Sequence, residues 1–428
     1  MRLNNAGNLF IIACVLLTVA MWFIFPPVND GRENFERQYA GEILGSVNIV
    51  LMSFALFIST RPKWAEKYFG GLDKMYITHR RVATTAFLLI FVHVLTVPIT
   101  LTGWRLGNYL AVIAFVGLVS IILVSLAPRI TYLNKLTGGT YDGWKNLKRF
   151  IGIFFIVGFF HSLTIARPLD ALIAFTWVQL FFIMGTLAYL YTEVFGRFFK
   201  KYVPYTVEAV KHPNPSTTEV TLRAKQGSIQ KQRAGQFLFV RFPGDKALNE
   251  SHPFTISSAP QEDILRLTIK ASGDFTRDLF ARLKPGMDAI VEGAYGLFNY
   301  KTGGPKQIWL AGGIGLTPFL SFVRDMDGGT LQHDVDFYYT VRHPEEALFV
   351  NEIEAAAQKN PRLKTYIRFS AKDGSLTMEH ILKNSGGNVQ DHHIYLCGPL
   401  PMIQAFEQKF RALGVPEGNI HFEEFNFR

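Results

Sequence analysis

Apolar residues run in long, nearly unbroken blocks up to about residue 192, then give way to short alternations of apolar and polar positions. A helix that crosses a bilayer needs about 20 mostly apolar residues. Six blocks approach that length: 8–25, 43–60, 82–100, 109–127, 150–166 and 171–192. The first has no small-residue cleavage site ahead of Pro26-Pro27, and five more blocks follow it, so it reads as an anchor and not a leader. From about residue 203 the short runs 218–222, 237–242 and 265–269, broken by Pro and Gly, predict a small antiparallel barrel reaching to about 300. Beyond Gly303-Gly304-Pro305, apolar strands alternate with helical stretches, the pattern of a parallel α/β sheet. The expected domains are 1–199 (six spans), 200–302 (barrel) and 303–428 (α/β).

Charge sharpens this division. The 428-residue chain has 44 Lys+Arg against 34 Asp+Glu, a formal net charge of +10. Residues 1–200 hold 18 basic and 9 acidic residues, so almost all the excess lies among the apolar blocks and the second half is nearly neutral. That distribution points to membrane lipid and argues against nucleic acid. Loops 61–81 and 128–149 carry eleven Lys/Arg, while the alternate loops carry Arg32, Arg37, Arg105 and Arg167. Positive loops stay on the cytoplasmic side. The expectation is a multi-pass protein of the bacterial cytoplasmic membrane with both termini, and everything after residue 193, in the cytoplasm. Two cysteines, Cys14 and Cys397, build neither a disulfide framework nor a Cys-based metal site.

Three histidines fall in the apolar half: His79, His93 and His161. Ionisable groups inside a span are expensive and mark function by default. His93 and His161 both sit toward the outer ends of their blocks, where one imidazole from each side would suit a haem iron. The alternative is a pair of neutral histidines bonded to backbone or Ser/Thr. His79 precedes His93 by 14 residues, about 21 Å and nearly four turns along a helix, so both can share one face. Its alternative is an interfacial loop histidine beside Arg80 and Arg81.

In the second half, an apolar strand runs into Gly312-Gly313-Ile314-Gly315 and then a helix start at Thr317-Pro318. Glycines let backbone approach a pyrophosphate, and a helix start offers free N–H groups. A second strand ends at Arg342, placed either for a nucleotide 2′-phosphate or simply for solvent. A third ends at Cys397-Gly398-Pro399, where ligands of open α/β sheets collect, and Cys397 is either part of that site or a small buried residue. In the barrel, His252-Pro253-Phe254-Thr255 sets an aromatic among polar groups, suited to a flavin ring and its edge. Gly273-Asp274-Phe275-Thr276 is another phosphate-sized helix start, with Asp274 as its candidate cap.

Together these residues make the chain resemble, over essentially its full length, the bacterial NADPH oxidases: a ferric-reductase-like six-helix transmembrane bundle joined to a ferredoxin–NADP reductase-like module. The resemblance implies FAD held by His252, Pro253, Phe254, Thr255, Gly273 and Thr276, with Thr255 at the flavin's reactive edge. It implies NADPH or NADH held by Gly312, Gly313, Gly315, Thr317, Pro318, Cys397, Gly398 and Pro399, with Thr255, Cys397 and Phe425 nearest the chemistry. Phe425, in the terminal Glu424-Phe425-Asn426-Phe427, would cover the flavin until nicotinamide displaces it. It also implies two haems b, the outer one between His93 and His161. Here the chain departs from the pattern. The partner expected for His79, thirteen residues before His161, is Lys148, although Tyr141, Trp144 and Arg149 match. Either the inner haem is missing and the flavin reaches deeper, or iron binds His79 with Lys148 or alone, or Lys148 binds a propionate or phosphate. One firmly bound outer haem is the expectation.

The function so implied is a transmembrane oxidase that takes electrons from cytoplasmic NADPH to extracytoplasmic O2, giving superoxide. Ferric or other metal reduction on the same architecture is the nearest rival, and electron delivery to a quinone or an extracytoplasmic protein is another. The sequence shows no EF-hand loop and no long regulatory extension, so no obligatory cytosolic activator is expected.

Overall fold

The computed structural model describes residues 5–99, 103–126, 148–165, 170–196, 202–229, 232–326 and 331–423. The chain divides into two compact units, essentially residues 3–199 and 200–428.

The first unit is helical: α1 (Ala6–Ile24), α2 (Phe35–Ser59), α3 (Leu72–Thr96), α4 (Leu106–Leu126), α5 (Ile151–Thr164) and α6 (Leu172–Leu190). A helix thus covers each apolar block. Among the described residues, however, only four are long and apolar enough to cross a membrane on their own: Ala6–Ile24, Phe35–Ser59, Leu106–Val124 and Leu172–Phe195. The sequence reading counted six. The two that fall short do so for different reasons. Helix α3 runs on from a basic loop and carries Asp73, Lys74, Arg80 and Arg81 in its first half, and α5 is apolar but has 14 residues. Small residues set the packing. A Cβ on Gly117 would meet the Phe154 ring at 2.1 Å, and one on Gly185 would meet Ser53 at 2.8 Å. Close approach of this kind is how helices associate where no water drives them together.

The second unit has two sheets. Strands β1 (Val203–Asn214), β2 (Thr217–Ala224), β3 (Phe237–Arg241), β4 (His252–Thr255), β5 (Ile264–Lys270) and β6 (Asp288–Tyr295) form an antiparallel sheet in the order β4-β3-β6-β1-β2-β5. The two edge strands meet through an Ile256–Leu267 bridge, which closes the sheet into the expected barrel. Its interior is Val207, Val220, Leu222, Leu238, Val240, Leu267 and Val291, each at most 1% exposed. Helix α7 (Asp274–Arg282) lies between β5 and β6.

The parallel sheet has β7 (Lys306–Gly312) at its centre, in the order β11-β10-β7-β8-β9. Its other strands are β8 (Asp334–Val341), β9 (Leu363–Phe369), β10 (His393–Cys397) and β11 (Ile420–Glu423), with α8 (Thr317–Met326), α9 (Val350–Lys359), α10 (Met378–Asn384) and α11 (Leu400–Ala412) between them. Both faces are covered by helices, so Ile308, Trp309, Leu310 and Ala311 of β7 are all fully buried. The chain leaves β7 toward β8 and returns on the other side as β10. This reversal of strand order opens a crevice at the carboxyl ends of β7 and β10, where nucleotides bind in such sheets.

Candidate functional site: a flavin–nicotinamide module and three membrane histidines

The crevice brings together two sequence motifs. A Cβ on Gly315 would stand 2.3 Å from the Cys397 carbonyl oxygen, and one on Gly398 would stand 3.0 Å from Gly312 Cα. Gly312 is blocked in turn by Pro399 and Met402 at 2.8 Å. The two turns therefore lie backbone against backbone at the head of α8, the kind of helix start that can receive an anion. Gly313 has φ +55°, a left-handed conformation natural to glycine, with nothing within 4 Å of its Cβ position. Thr317 opens α8, its hydroxyl donating to Ile314 O at 3.2 Å, and Pro318 follows as its second residue, where a missing N–H does no harm. Arg342 is exposed at the carboxyl end of β8, and its carbonyl accepts the Ala371 N–H. The Cys397 side chain is fully buried in the core, and that burial, with Glu423 nearby, pushes its thiol well above the ordinary value. What this residue presents to the crevice is backbone, and the thiol stays neutral.

In the barrel, β4 pairs with β3 so that Thr255 lies opposite Phe237 and His252 opposite Val240. The pleat sends alternate side chains to opposite faces. His252 and Phe254 share one face and both stack on Phe275, at 3.9 and 6.3 Å between ring centres. Phe275 is the second residue of α7 and lies outside the set of site residues that the sequence predicts. It joins the flavin strand to the phosphate-sized turn. The cap of that turn is Gly273 and not Asp274: the Thr276 hydroxyl accepts the Gly273 N–H at 2.9 Å, while Asp274 is the first helical residue and pairs with Arg277. A glycine caps here because its backbone does the work and Thr276 supplies the side-chain oxygen.

Two buried polar atoms of this strand have no hydrogen-bond partner among the described residues: Thr255 Oγ1 and His252 Nε2, the latter 3.4 Å from Glu250 Oε2. A buried hydroxyl left unpaired costs about 1–3 kcal/mol. Both atoms therefore fit a site whose polar ligand completes them, and a flavin with its phosphates has the donors and acceptors to do so.

In the helical unit, His79 and His93 lie on one helix, α3, which rules out the loop position for His79. His79 Nδ1 is 2.9 Å from Ala55 O, His93 Nδ1 is 2.9 Å from Gly41 O, and His161 Nδ1 is 2.9 Å from Gly107 O. A carbonyl only accepts, so each Nδ1 carries the proton and each Nε2 keeps its lone pair. Among the described residues nothing bonds any of the three Nε2 atoms. The backbone contact predicted for neutral histidines is present, but on one nitrogen only. Metal-ligating histidines use their second nitrogen in this way, to fix ring and tautomer.

The α2–α3 contact is regular. Gly41, Asn48 and Ala55 of α2 meet His93, Ala86 and His79 of α3, with Asn48 Nδ2 donating to Ala86 O at 3.3 Å. Antiparallel helices stepping seven residues at a time repeat the same contact about every 10.5 Å. Arg37, one turn before Gly41, donates to the carbonyls of Leu95, Thr96 and Val97, fixing the end of α3 beside His93. Lys148 opens a short turn before α5, and its side chain lies outside the described residues, as do Tyr141, Trp144 and the whole of Phe425.

Known families match each part. Residues 44–158 match a family described as ferric reductase like transmembrane component, 202–305 an FAD-binding domain, and 309–408 an oxidoreductase NAD-binding domain. The chain thus has a ferric reductase-like transmembrane domain followed by FAD-binding and oxidoreductase NAD-binding domains. Similar curated proteins include the ferredoxin reductase component of 3-ketosteroid-9-alpha-monooxygenase from Rhodococcus rhodochrous, 24% identical over 52% of this chain and 64% of that one. Another is the toluate 1,2-dioxygenase electron transfer component of Pseudomonas putida, 24% identical over 49% and 64%. The chain spans a little under two-thirds of the length of these relatives. Among solved structures, a flavohemoglobin from Malassezia yamatoensis with bound FAD and heme aligns over 91% of this chain and 97% of its own, at TM-score 0.51 and 16% identity. At that identity the likeness concerns fold alone.

Proposed function

We propose that the protein is a transmembrane NAD(P)H oxidase of the bacterial NADPH oxidase type, moving electrons from cytoplasmic NADPH by way of FAD and haem b to extracytoplasmic O2, which becomes superoxide. The observation that carries this reading is the shared preparation of His79, His93 and His161: Nδ1–H given to a neighbouring helix's backbone, Nε2 left as a ligand. His93 and His161, each three residues from the end of its helix, would hold the outer haem. The cofactors supply the redox chemistry: FAD accepts electrons in pairs and can pass them singly to a one-electron haem iron. The chain's own part is placement. Gly312–Gly315 and Gly398 clear a backbone floor for the nucleotide, Thr255 offers its buried hydroxyl to the flavin, and Phe275 braces His252 and Phe254 around it.

The bundle is oriented with both termini in the cytoplasm of a bacterial cell, with lipid around it and no obligatory cytosolic activator. Detergent-purified protein given FAD and NADPH is expected to produce a signal abolished by superoxide dismutase. Its absence, with NADPH still consumed, would turn the reading to reduction of another acceptor. The match of residues 44–158 to a ferric reductase-like component makes chelated Fe(III) the acceptor to compete against O2.

A further inference from the structure

Helix α8 does more than present its first turn to a nucleotide. Its far end is fastened to the barrel just past the flavin strand. The Ser321 hydroxyl donates to Ser258 O at 2.8 Å and accepts the Gly235 N–H at 3.4 Å. One turn on, Arg324 donates to Ser257 O at 2.9 Å, to Glu219 Oε1 of β2 at 3.3 Å, and to both oxygens of Glu352 of α9 at 2.6 and 3.0 Å. Its guanidinium lies over the Phe349 ring, 5.2 Å from the centre. Asp325 accepts from Tyr300 at 2.9 Å and pairs with Lys301 at 2.6 Å, on the segment joining the two sheets. Ser257 and Ser258 follow Thr255 after one residue, Ile256, and are themselves fully buried.

We propose that Arg324 is a positioning residue for hydride transfer between nicotinamide and flavin: it sets the glycine turn at the head of α8 in register with the flavin strand β4. One hydride, carrying two electrons, leaves the nicotinamide and is taken up by the flavin, so NAD(P)H is oxidised and FAD reduced. That transfer needs the two rings held at contact, and each ring is held by a different sheet. Thr317 is the first residue and Arg324 lies in the last turn of one short helix. Thr255 and Ser257 are two residues apart on one strand and its continuation. The Arg324 side chain is 8% exposed and Glu219's is 10%, with Glu352 at the rim at 38%, so the guanidinium itself is buried at this junction and is no surface group. Only the planar fork of arginine reaches Ser257 O, Glu219 and Glu352 together, and lysine offers a point charge instead.

The inference rests on transfer from nucleotide to flavin, and the test separates the two. Full-length protein in detergent, loaded with FAD and kept anaerobic, is mixed rapidly with NADPH or NADH while flavin absorbance is followed. No reduction in the wild type would sink the functional reading itself. Given a wild-type rate, Arg324→Lys is expected to reduce flavin roughly 10–100-fold more slowly at saturating nucleotide, the scale set by misplacement of about 1 Å. FAD content, the dithionite-reduced spectrum and the nucleotide concentration for half-maximal rate should stay close to wild type. Glu219→Gln and Ser321→Ala, milder changes to the same junction, should show the same split at smaller size and serve if Arg324→Lys does not fold. Saturating rates within twofold of wild type in FAD-replete variants would overturn the proposal, as would a loss that tracks FAD content alone.

Discussion

Gly315 and Gly313 stand two residues apart in one turn, yet substitution should affect them differently. A methyl on Gly315 overlaps the Cys397 backbone, which no rotamer change relieves. Gly315→Ala is expected to destabilise the domain by about 1–3 kcal/mol and to slow nucleotide-driven flavin reduction at least roughly tenfold. Gly313→Ala meets no atoms and bears only the left-handed backbone strain, about 1–2 kcal/mol. Thermal melting and anaerobic flavin reduction on both variants check the contrast. Cys397 has its own test. Its buried thiol has a raised pKa, so it stays protonated through neutral pH and the reactive thiolate is scarce. Native protein at pH 7–8 should resist maleimide at Cys397, and denaturant should expose it, as peptide mapping will read. The glycine turns, Thr255 and the histidines stood out as candidates in the sequence because their residue types suit the chemistry proposed. Phe275 was written in the same motif but passed over, and Arg324 gave no signal at all, since its partners come from positions 219, 257 and 352.

At the scale of elements, α2 acts as a rail for α3. The heptad-like meeting of Gly41, Asn48 and Ala55 with His93, Ala86 and His79 turns two histidines 14 residues apart to the same tautomer. A Cβ on Gly41 would lie 2.4 Å from Val97 Cγ1, and valine, branched at Cβ, has little freedom to yield. Gly41→Leu should therefore push α3's outer end away and lower haem bound at the outer position, with the His79 end less affected. A pyridine haemochromogen assay on purified variant and wild type reads this directly, and unchanged haem content would contradict the rail. The hydropathy pattern located these helices but not their ends: α2 begins at Phe35 and α3 at Leu72, eight and ten residues before their apolar blocks. Hydropathy reports where lipid begins, whereas helical hydrogen bonding continues into the polar turns beyond.

For the whole molecule, the quantity that tests the proposed function is haem per polypeptide. The sequence, with Lys148 where a second imidazole was expected, favoured one haem. The structure prepares His79 in the same way as His93, so the inner position keeps a ligand with its lone pair free. Two haems are the expected result of a denaturing haem assay, falling to one in His79→Leu. A wild-type value of one would leave the outer site alone and require another route from the flavin. The sequence by itself determined the division into a helical membrane part, a barrel and a parallel sheet, because hydrophobic period and charge placement are local properties that burial acts on directly. It also supplied the candidate site residues. Only the tertiary structure decided which histidine nitrogen is free, that the turns at Gly312 and Gly398 lie backbone to backbone, that a bridge at Ile256 closes the barrel, and that Arg324 ties α8 and α9 to the barrel. Each of these depends on atoms from residues distant along the chain meeting within a few ångströms, and no local pattern encodes such a meeting.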